Sequence, residues 1–380
     1  MGTRTVLIVG GGIAGLAASI GLHRRGHHVT LVERAPALNA LGAGVVLQPN
    51  ALAALRDVGV STDGRGQPIG QAVIADASGR PIQTTDFFAG PHGESLGVYR
   101  PDLCARLGDA AHRVPTLLST TVDGLTETAD GVDVVLSDGT HSRFDLVLAC
   151  DGLRSRTRAL SIGGRGPTVD YSGYTCWRAV LPNPGVHSVT EMWGRGKRFG
   201  LVPLTQDRVY AFLVANAEPH APARDADALR KDFGEFQGAA PPVLAALDDH
   251  SLLHHDIEAL SHVSWGTPRV WLLGDAAHSM TPNLGQGAGL ALEDACTAVR
   301  ALRAASDVGQ AWKALVRARH ARAQLLMSRS RMFGVVAQWE SDWARAARDA
   351  VFRITPASAA ARSLEPVLAW RPGDGLAPGS

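Results

Sequence analysis

The stretch TVLIVGGGIAGLAASIGLHRRGHHVTLVE, residues 5–33, decides the fold. It begins with a short apolar, β-branched run, continues with apolar residues at helical spacing, and ends in a second strand-like run. Gly26 lies where a helix C-cap is expected. The stretch therefore predicts a β-α-β unit that begins a Rossmann-like α/β domain.

The glycines of this unit follow the spacing Gly10-x-Gly12-x-x-Gly15. Gly10 permits a tight turn, Gly12 lets the backbone approach a pyrophosphate, and Gly15 lets the helix pack on the strand. The helix N-terminus attracts the phosphate charge. Glu33 can accept hydrogen bonds from both hydroxyls of an adenosine ribose, and its charge repels a 2′-phosphate. The unit therefore predicts FAD or NAD, not NADP, as its ligand.

Two later segments favour FAD over NAD. The first, ACDGLRSRTR at residues 149–158, follows an apolar strand. In the second, RVWLLGDAAHSMTPNLGQGAGLALEDA at residues 269–295, Asp275 ends a strand and can accept hydrogen bonds from a polyol such as a ribityl chain. The glycines at 285–289 expose backbone N–H groups at the start of a helix, where the dipole favours the negative charge of a reduced flavin ring.

Composition narrows the range of partners. The 380 residues carry 37 Lys and Arg against 36 Asp and Glu, which gives no field for attracting nucleic acid. The cysteines at 104, 150, 176 and 296 are far apart, so they predict buried thiols in a reducing cytoplasm and no metal site. The apolar run after Arg4 is not expected to be a signal peptide, and no other stretch approaches the roughly 20 apolar residues of a transmembrane segment.

The order of the segments predicts a discontinuous FAD-binding domain. Short aromatic-bearing strands at 168–216 indicate an antiparallel sheet, and the nucleotide-type signals return at 269. The predicted fold is a Rossmann-like FAD-binding domain of the GR2 type with an inserted mixed or antiparallel β-sheet and C-terminal helices. Its parts are residues 1–71, 97–167 and 266–330 for FAD, 72–96 and 168–265 for substrate, and 331–380 as a helical segment.

The three motifs, in this order and at these intervals, resemble the class A, single-component flavoprotein monooxygenases, the family of para-hydroxybenzoate hydroxylase, salicylate hydroxylase and zeaxanthin epoxidase. The resemblance extends to LGAGVVLQPNALAAL at 41–55, VYRPDL at 98–103 and RDAVFRITP at 348–356. It implies non-covalent FAD, NADH or NADPH as a transient reductant, and O2. It also implies hydroxylation of a small aromatic or heteroaromatic molecule through a flavin C4a-hydroperoxide, in a monomer or homodimer.

The same resemblance implies roles for individual residues. Glu33 and Arg34 hold the adenosine, the backbone at Val122 meets the adenine, and Arg100 and Asp275 hold the ribityl and pyrophosphate region. The implied cofactor-binding residues are Gly10, Gly12, Ile13, Ala14, Gly15, Glu33, Arg34, Gly44, Val45, Arg100, Val122, Asp151, Arg158, Asp275, Pro282, Gly285, Gly287 and Ala288.

Substrate residues are expected in the inserted sheet and in the segment TPNLGQG. The predicted substrate-binding residues are Trp177, Arg198, Tyr210, Phe212 and Asn283, and the predicted catalytic residues are Arg198, Tyr210 and Pro282. Strand positions alternate, so Arg198 and Phe199 cannot both face the flavin. GKRFGLVPL and VYAF are similar to the FAD-dependent urate hydroxylases, which have Asp where this chain has Asn283. An amide cannot take a proton or offset a buried guanidinium, which argues against urate.

Several alternatives remain open at this point. The substrate can be bulky and polycyclic, as in the tetracycline-inactivating enzymes, and a non-catalytic nucleotide- or lipid-binding protein on this fold is a different class. His278 is expected to be a packed, hydrogen-bonded loop residue. A group of arginines after residue 310 is expected to form a solvated helix face, with an oligomer or cofactor-entry surface as the alternative. These arginines are Arg317, Arg319, Arg322, Arg329 and Arg331.

Overall fold

The computed structural model describes residues 2–38, 42–62, 65–86 and 93–376. The strands are β1 Thr5–Val9, β2 His28–Val32, β3 Gly44–Leu47, β4 Gln67–Ile69, β5 Gln71–Asp76, β6 Pro81–Asp86, β7 Ser95–Tyr99, β8 Thr116–Leu117, β9 Val122–Glu127, β10 Val132–Leu136, β11 His141–Phe144, β12 Leu146–Ala149, β13 Val169–Pro182, β14 Val189–Trp193, β15 Lys197–Pro203, β16 Arg208–Asn216, β17 Leu253–Leu260 and β18 Val270–Leu272. The helices are α1 Ile13–His23, α2 Pro49–Val58, α3 Arg100–Ala110, α4 Arg156–Ile162, α5 Ala226–Asp232, α6 Ala240–Ala245, α7 Asp275–His278, α8 Gly287–Ala304, α9 Val308–Ala337, α10 Asp342–Ile354 and α11 Ala357–Leu368.

A parallel sheet of five strands, in the order β18-β12-β1-β2-β8, confirms the predicted β-α-β unit. Four of the five β1 residues are buried, as expected for a strand covered on both faces. Because parallel strands end at one edge of the sheet, the residues that follow β1, β2, β12 and β18 meet there. These residues include Gly10, Glu33, Asp151 and Asp275.

The turn after β1 requires its glycines. Gly10 has a φ of 105°, in the region that favours glycine. A Cβ on Gly15 would lie 1.9 Å from the carbonyl oxygen of Gly10, so any side chain there would separate α1 from β1. Gly15 therefore has the packing role that its spacing predicted.

A second sheet has seven strands in the order β17-β13-β16-β15-β14-β5-β6. Its one parallel pair, β14 with β5, joins the β5–β6 hairpin to strands that follow nearly 100 residues later in the chain. The hairpin turns at Gly79, whose φ of 83° lies in the region that favours glycine. Residues 87–92, within the predicted segment 72–96, lie outside the described residues.

The two faces of this sheet have different neighbours. Residues of β13 alternate, so that Cys176 and Arg178 face one side and Trp177 and Ala179 the other. Trp177 and Ala179 form a core with residues of α5 and α6. On the opposite side, α10 and α11 pack against β6. All four cysteines are buried and unpaired, as predicted.

The C-terminal helices correct the prediction of a solvated arginine face. Arg317 and Arg331 are exposed, but Arg319 is completely buried and Arg322 is partly buried. Arg319 falls on the buried stripe of α9 that also contains Leu315, because the helical period places positions four apart on one face. None of the helices in the described ranges is long and apolar enough to cross a membrane.

Candidate cofactor and substrate site

One large cavity lies between the carboxyl edge of the parallel sheet and the open face of the seven-stranded sheet. Its volume is about 1490 Å³, and residues of α9, α10 and α11 complete its wall. Pockets for one small molecule usually have about 300–1,000 Å³. The cavity therefore has room for two ligands side by side.

Most of the predicted cofactor residues line this cavity. They are Gly10, Gly12, Ile13, Ala14, Glu33, Arg34, Gly44, Val45, Arg100, Val122, Asp151, Asp275, Pro282, Gly285, Gly287 and Ala288. Gly15 does not line it, because it lies in the contact between α1 and β1. Twelve of these residues lie outside the first glycine fingerprint and are spread from Glu33 to Ala288, so only the fold brings the set together.

Glu33 closes the nucleotide end of the cavity. One carboxylate oxygen accepts a hydrogen bond from the Gly11 N–H at 2.6 Å, and the other accepts one from the Ala35 N–H at 2.8 Å. These bonds fix the carboxylate at the end of β2 while it still faces the cavity. An anchored carboxylate at this place suits the hydroxyls of a ribose.

Asp275 extends its carboxylate into the cavity from the end of the strand β18. No described residue donates a hydrogen bond to this carboxylate, and its side chain is exposed on the cavity side. Burial by the surrounding protein raises the pKa of Asp275, although His278 and Arg100 lower it in part. A carboxylate in this position lacks hydrogen-bond donors that a polyol could supply, which fits the ribityl chain of FAD.

The loop before α8 forms a cradle of bare backbone. A Cβ on Gly287 or on Gly12 would meet no protein atom within 4 Å, although both residues line the cavity. Because α8 begins at Gly287, its unpaired N–H groups favour a negative charge nearby. These features fit a flat ring with negative charge at one end, as in reduced flavin.

Side-chain amides hold this loop in place. Gln48 donates to the carbonyl oxygen of Leu284 at 3.0 Å. Asn50 donates to Gln286 at 2.8 Å and to Glu293 at 2.6 Å. The loop is thus fixed to α2 and to the first turns of α8.

A buried cluster of charged side chains holds the turn between β18 and α7 against α8 and α9. Asp294 accepts hydrogen bonds from the Gly274 N–H at 2.9 Å and from Arg319 at 2.8 Å, and it pairs with His278 at 2.5 Å. Burial alone would raise the pKa of Asp294, but His278 and Arg319 outweigh it and hold that pKa below its ordinary value. His278 is therefore the packed, hydrogen-bonded residue that was predicted.

The motif at 151–158 supports the site through two of its side chains, Asp151 and Arg158. Asp151 lines the cavity and accepts hydrogen bonds from Ser155 at 2.5 Å and from the Thr157 N–H at 2.9 Å. Arg158 is buried away from the cavity, where it donates to the carbonyl oxygens of Ala276 at 2.9 Å and Leu153 at 2.7 Å. The prediction that Arg158 contacts the cofactor is therefore corrected. Its guanidinium instead connects the segment at Leu153 to the helix α7 at Ala276.

The predicted substrate residues divide between the cavity and the opposite face of the second sheet. Arg198, Tyr210, Phe212, Pro282 and Asn283 line the cavity, and Phe199 lies in the opposite core, as the alternation required.

Trp177 is a further correction, since it also lies on the opposite face. Its ring stacks on His254 with centroids 4.9 Å apart and meets the edge of Phe233 at 6.3 Å. It fills the core beneath α5 and cannot contact a ligand in the cavity.

Arg198 is held by protein groups. Its guanidinium is only 2% exposed, pairs with Glu191 at 3.1 Å and donates to Gln338 at 3.0 Å. It also lies 5.3 Å from the centre of the Tyr174 ring. Its charge is therefore already offset before a ligand binds.

Arg178 is the cavity cation that sequence reasoning missed. It faces the cavity from β13, near Cys176 and Tyr210, and no ion pair of the described residues includes it. Burial raises the pKa of Tyr210 above its ordinary value, although the charge of Arg178 opposes this. Tyr210 and Arg178 therefore present a neutral hydroxyl and a cationic guanidinium to the cavity. The signal was present in GYTCWRAVL, where the positions alternate and Arg178 lies next to the conspicuous tryptophan.

Asn283 connects the loop before α8 to the strand β13 and to the helix α9. Its amide nitrogen lies 2.9 Å from the hydroxyl oxygens of Tyr174 and Thr281 and 2.8 Å from the carbonyl oxygen of Ser330. A carboxylate at this position would face the Ser330 carbonyl without a proton to donate. The amide nitrogen thus has oxygen acceptors around it that a carboxylate could not serve as a donor.

Comparisons with known proteins agree with this site. The model of the FAD binding domain family matches residues 3–330. Aurachin C monooxygenase/isomerase of Stigmatella aurantiaca is 34% identical over 92% of this chain and 94% of its own length. 2-Heptyl-3-hydroxy-4(1H)-quinolone synthase of Pseudomonas aeruginosa is 33% identical over 93% of this chain and 94% of its own length.

A solved structure shares the arrangement as well. Klebsiella pneumoniae HpxO, crystallised with FAD and uric acid, has a TM-score of 0.87 and 25% identity, and the match covers 95% of each chain. The glycine cradle, the open carboxylate of Asp275 and the anchored Glu33 all fit the ligand that the family model describes. This chain therefore belongs to the FAD binding domain family.

Proposed function

We propose that this protein is an FAD-dependent monooxygenase that uses NADH or NADPH and O2 to hydroxylate a small heteroaromatic molecule. The observation that carries the proposal is the two-part cavity, in which a nucleotide end with Glu33 and Asp275 continues into an end with Arg178 and Tyr210. Bound FAD supplies the chemistry, because the reduced ring activates O2 for transfer to a neighbouring molecule. The protein supplies the placement of the ring and the exclusion of water.

The substrate end suits an aromatic ring that carries a carbonyl or acidic oxygen. Arg178 can hold such an oxygen by a charge-assisted hydrogen bond, and the neutral hydroxyl of Tyr210 can donate a second one. Phe212 adds an apolar wall, and Pro282 shapes the loop beside the flavin position. Arg198, whose charge Glu191 offsets, acts as a positioning residue of the wall.

The Asn283 amide and the name of one relative support a quinolone-type bicycle over a purine as the substrate. One relative is named for a 4(1H)-quinolone with a ring carbonyl, which matches the chemistry of the Arg178 and Tyr210 pair. The amide of Asn283, locked among Tyr174, Thr281 and Ser330, offers no carboxylate for a urate-type ligand. The cavity volume also admits a polycyclic substrate, so the test includes one.

We also propose the division of the chain into three parts, with 1–71, 97–167 and 266–330 for FAD, 72–96 and 168–265 for substrate, and 331–380 as a C-terminal helical segment. The seven-stranded sheet, which draws its strands from 71–86 and 169–260, supports this division. We place the protein in the cytoplasm, where its four unpaired cysteines stay reduced, as a monomer or homodimer. Light scattering of the purified protein measures the oligomeric state.

The test is a substrate panel for the FAD-loaded protein with 4(1H)-quinolones, hydroxybenzoates, urate and a tetracycline. NADH and NADPH oxidation, O2 uptake and product mass are recorded together. We expect a quinolone to gain one oxygen atom with one reduced nicotinamide consumed per product. Nicotinamide oxidation without an oxygenated product from any member, or a protein that purifies without the yellow absorbance of flavin, would refute the proposal.

A further inference from the structure

The cavity extends beyond the place of an aromatic ring, between the outer strands of the seven-stranded sheet and the C-terminal helices. We call this part the apolar end. It is lined by Ile74, Val189, Met332, Val336, Phe352 and Leu364. Its helical wall comes from residues after 330, beyond the region that the family model matches.

The apolar end is continuous with the substrate end. Tyr210 on β16 and Ile74 on β5 both line the cavity, as do Val202 on β15 and Val189 on β14 between them. Strands lie about 4.8 Å apart, so three spacings place Tyr210 and Ile74 about 14 Å from each other. This distance is greater than the length of a bicyclic ring system.

The chemistry of the apolar end differs from that of the substrate end. Among the described cavity residues of β5, β6, β14 and α9–α11, Glu191 and Arg329 are the charged ones. Glu191 is paired with Arg198 at 3.1 Å, and Arg329 donates to the carbonyl oxygen of Ser363 at 3.0 Å. Met332 and Val351 line the cavity although 63% and 57% of their surface is exposed. Exposed apolar side chains inside a cavity mark a place where an apolar ligand is buried.

We propose that the apolar end binds a flexible apolar substituent, such as an unbranched alkyl chain, carried by the aromatic substrate. The ring lies at Arg178 and Tyr210, and the chain crosses β15 and β14 toward Ile74 beneath α9–α11. The inference rests on the proposed function only for the position of the ring. It names the substrate class as an amphiphile with a polar ring and an apolar tail.

The test is calorimetric binding of three 4(1H)-quinolones to the FAD-loaded protein, with methyl, butyl and heptyl groups at position 2. Each buried methylene should tighten binding about fourfold until the apolar end is filled. Equal affinities across the series, or no binding of any member, would overturn the inference. Because binding is measured without turnover, a protein that binds the heptyl compound but oxygenates no member of the substrate panel would refute the proposed function and leave the tail site supported.

Two matched variants locate the tail. Ala359 lines the cavity from α11, whereas Ala361 on the same helix is exposed and does not line it. Ala359→Phe should reduce the affinity for the heptyl compound to that for the methyl compound and leave the latter unchanged, whereas Ala361→Phe should change neither. Val336→Trp blocks the same space from α9 if Ala359→Phe fails to fold. Undiminished heptyl binding in a folded blocking variant would contradict the assigned location.

Discussion

Replacing Asp275 by Asn separates cofactor binding from protein stability. The carboxylate faces the cavity and receives no hydrogen bond from the described residues, so the apoprotein loses no hydrogen bond when it is replaced. A hydrogen bond to a charged group contributes about 1.5–3 kcal/mol. If Asp275 accepts such a bond from FAD, Asp275→Asn should weaken FAD binding about 10- to 150-fold.

The apoprotein should respond in the opposite direction. Burial raises the pKa of Asp275 above its ordinary value of 3.8, so the folded apoprotein holds this proton more tightly than the unfolded chain does. As the pH rises from the ordinary to the raised pKa, wild-type apoprotein therefore loses stability relative to Asp275→Asn. Above the raised pKa the difference stays constant, and the variant remains the more stable of the two.

The assay pairs FAD titration, followed by quenching of flavin fluorescence, with urea unfolding of the apoprotein at acidic and at neutral pH. Asp130→Asn is the control, because Asp130 is exposed and lies outside the cavity. A variant that retains wild-type FAD affinity would refute the role of Asp275. A variant whose apoprotein is less stable than wild type at neutral pH would refute the reasoning about its unpaired carboxylate.

Three further predictions test other parts of the structure. Arg319→Ala should cost about 3–5 kcal/mol of unfolding free energy because it removes the buried cation that pairs with both Glu293 and Asp294, whereas Arg317→Ala on the exposed face should cost less than about 0.5 kcal/mol in the same urea titration. Arg178→Met should lower kcat/KM about 10- to 150-fold with unchanged FAD content, and Arg178→Lys should recover part of it; equal activity of all three forms would exclude Arg178 as a substrate contact. Gly287→Leu should fold, since a Cβ there meets no protein atom within 4 Å, but should purify without FAD; a fully yellow variant would contradict the assignment of the cradle.

The sequence was sufficient for the fold because local signals and function coincide in the first β-α-β unit. Gly10 and Gly15 are required by backbone geometry, and Glu33 follows at the end of the next strand. The role of the loop before α8 could also be predicted from the sequence. Gly287 stands at a helix N-terminus, where the protein has room for a side chain, so the glycine is explained by a ligand and not by packing.

The errors arose where only tertiary packing decides which way a side chain faces. Trp177 and Arg178 are adjacent on β13, so one of them faces the cavity and the other the opposite core. The sequence of the strand does not indicate which of the two faces the cavity. Arg319 looked solvated by composition, but the partners that bury it, Glu293 and Asp294, lie on α8 and become visible only when α8 packs on α9. Arg158 donates to Ala276, more than 100 residues away.

The central claim is most directly tested with isotopically labelled O2. The FAD-loaded protein, NADH or NADPH and a 2-heptyl-4(1H)-quinolone are incubated under the labelled gas, and the product is analysed by mass spectrometry. The monooxygenase assignment predicts a product that carries one labelled oxygen atom. A product with unlabelled oxygen, or nicotinamide oxidation that yields only hydrogen peroxide, would contradict it.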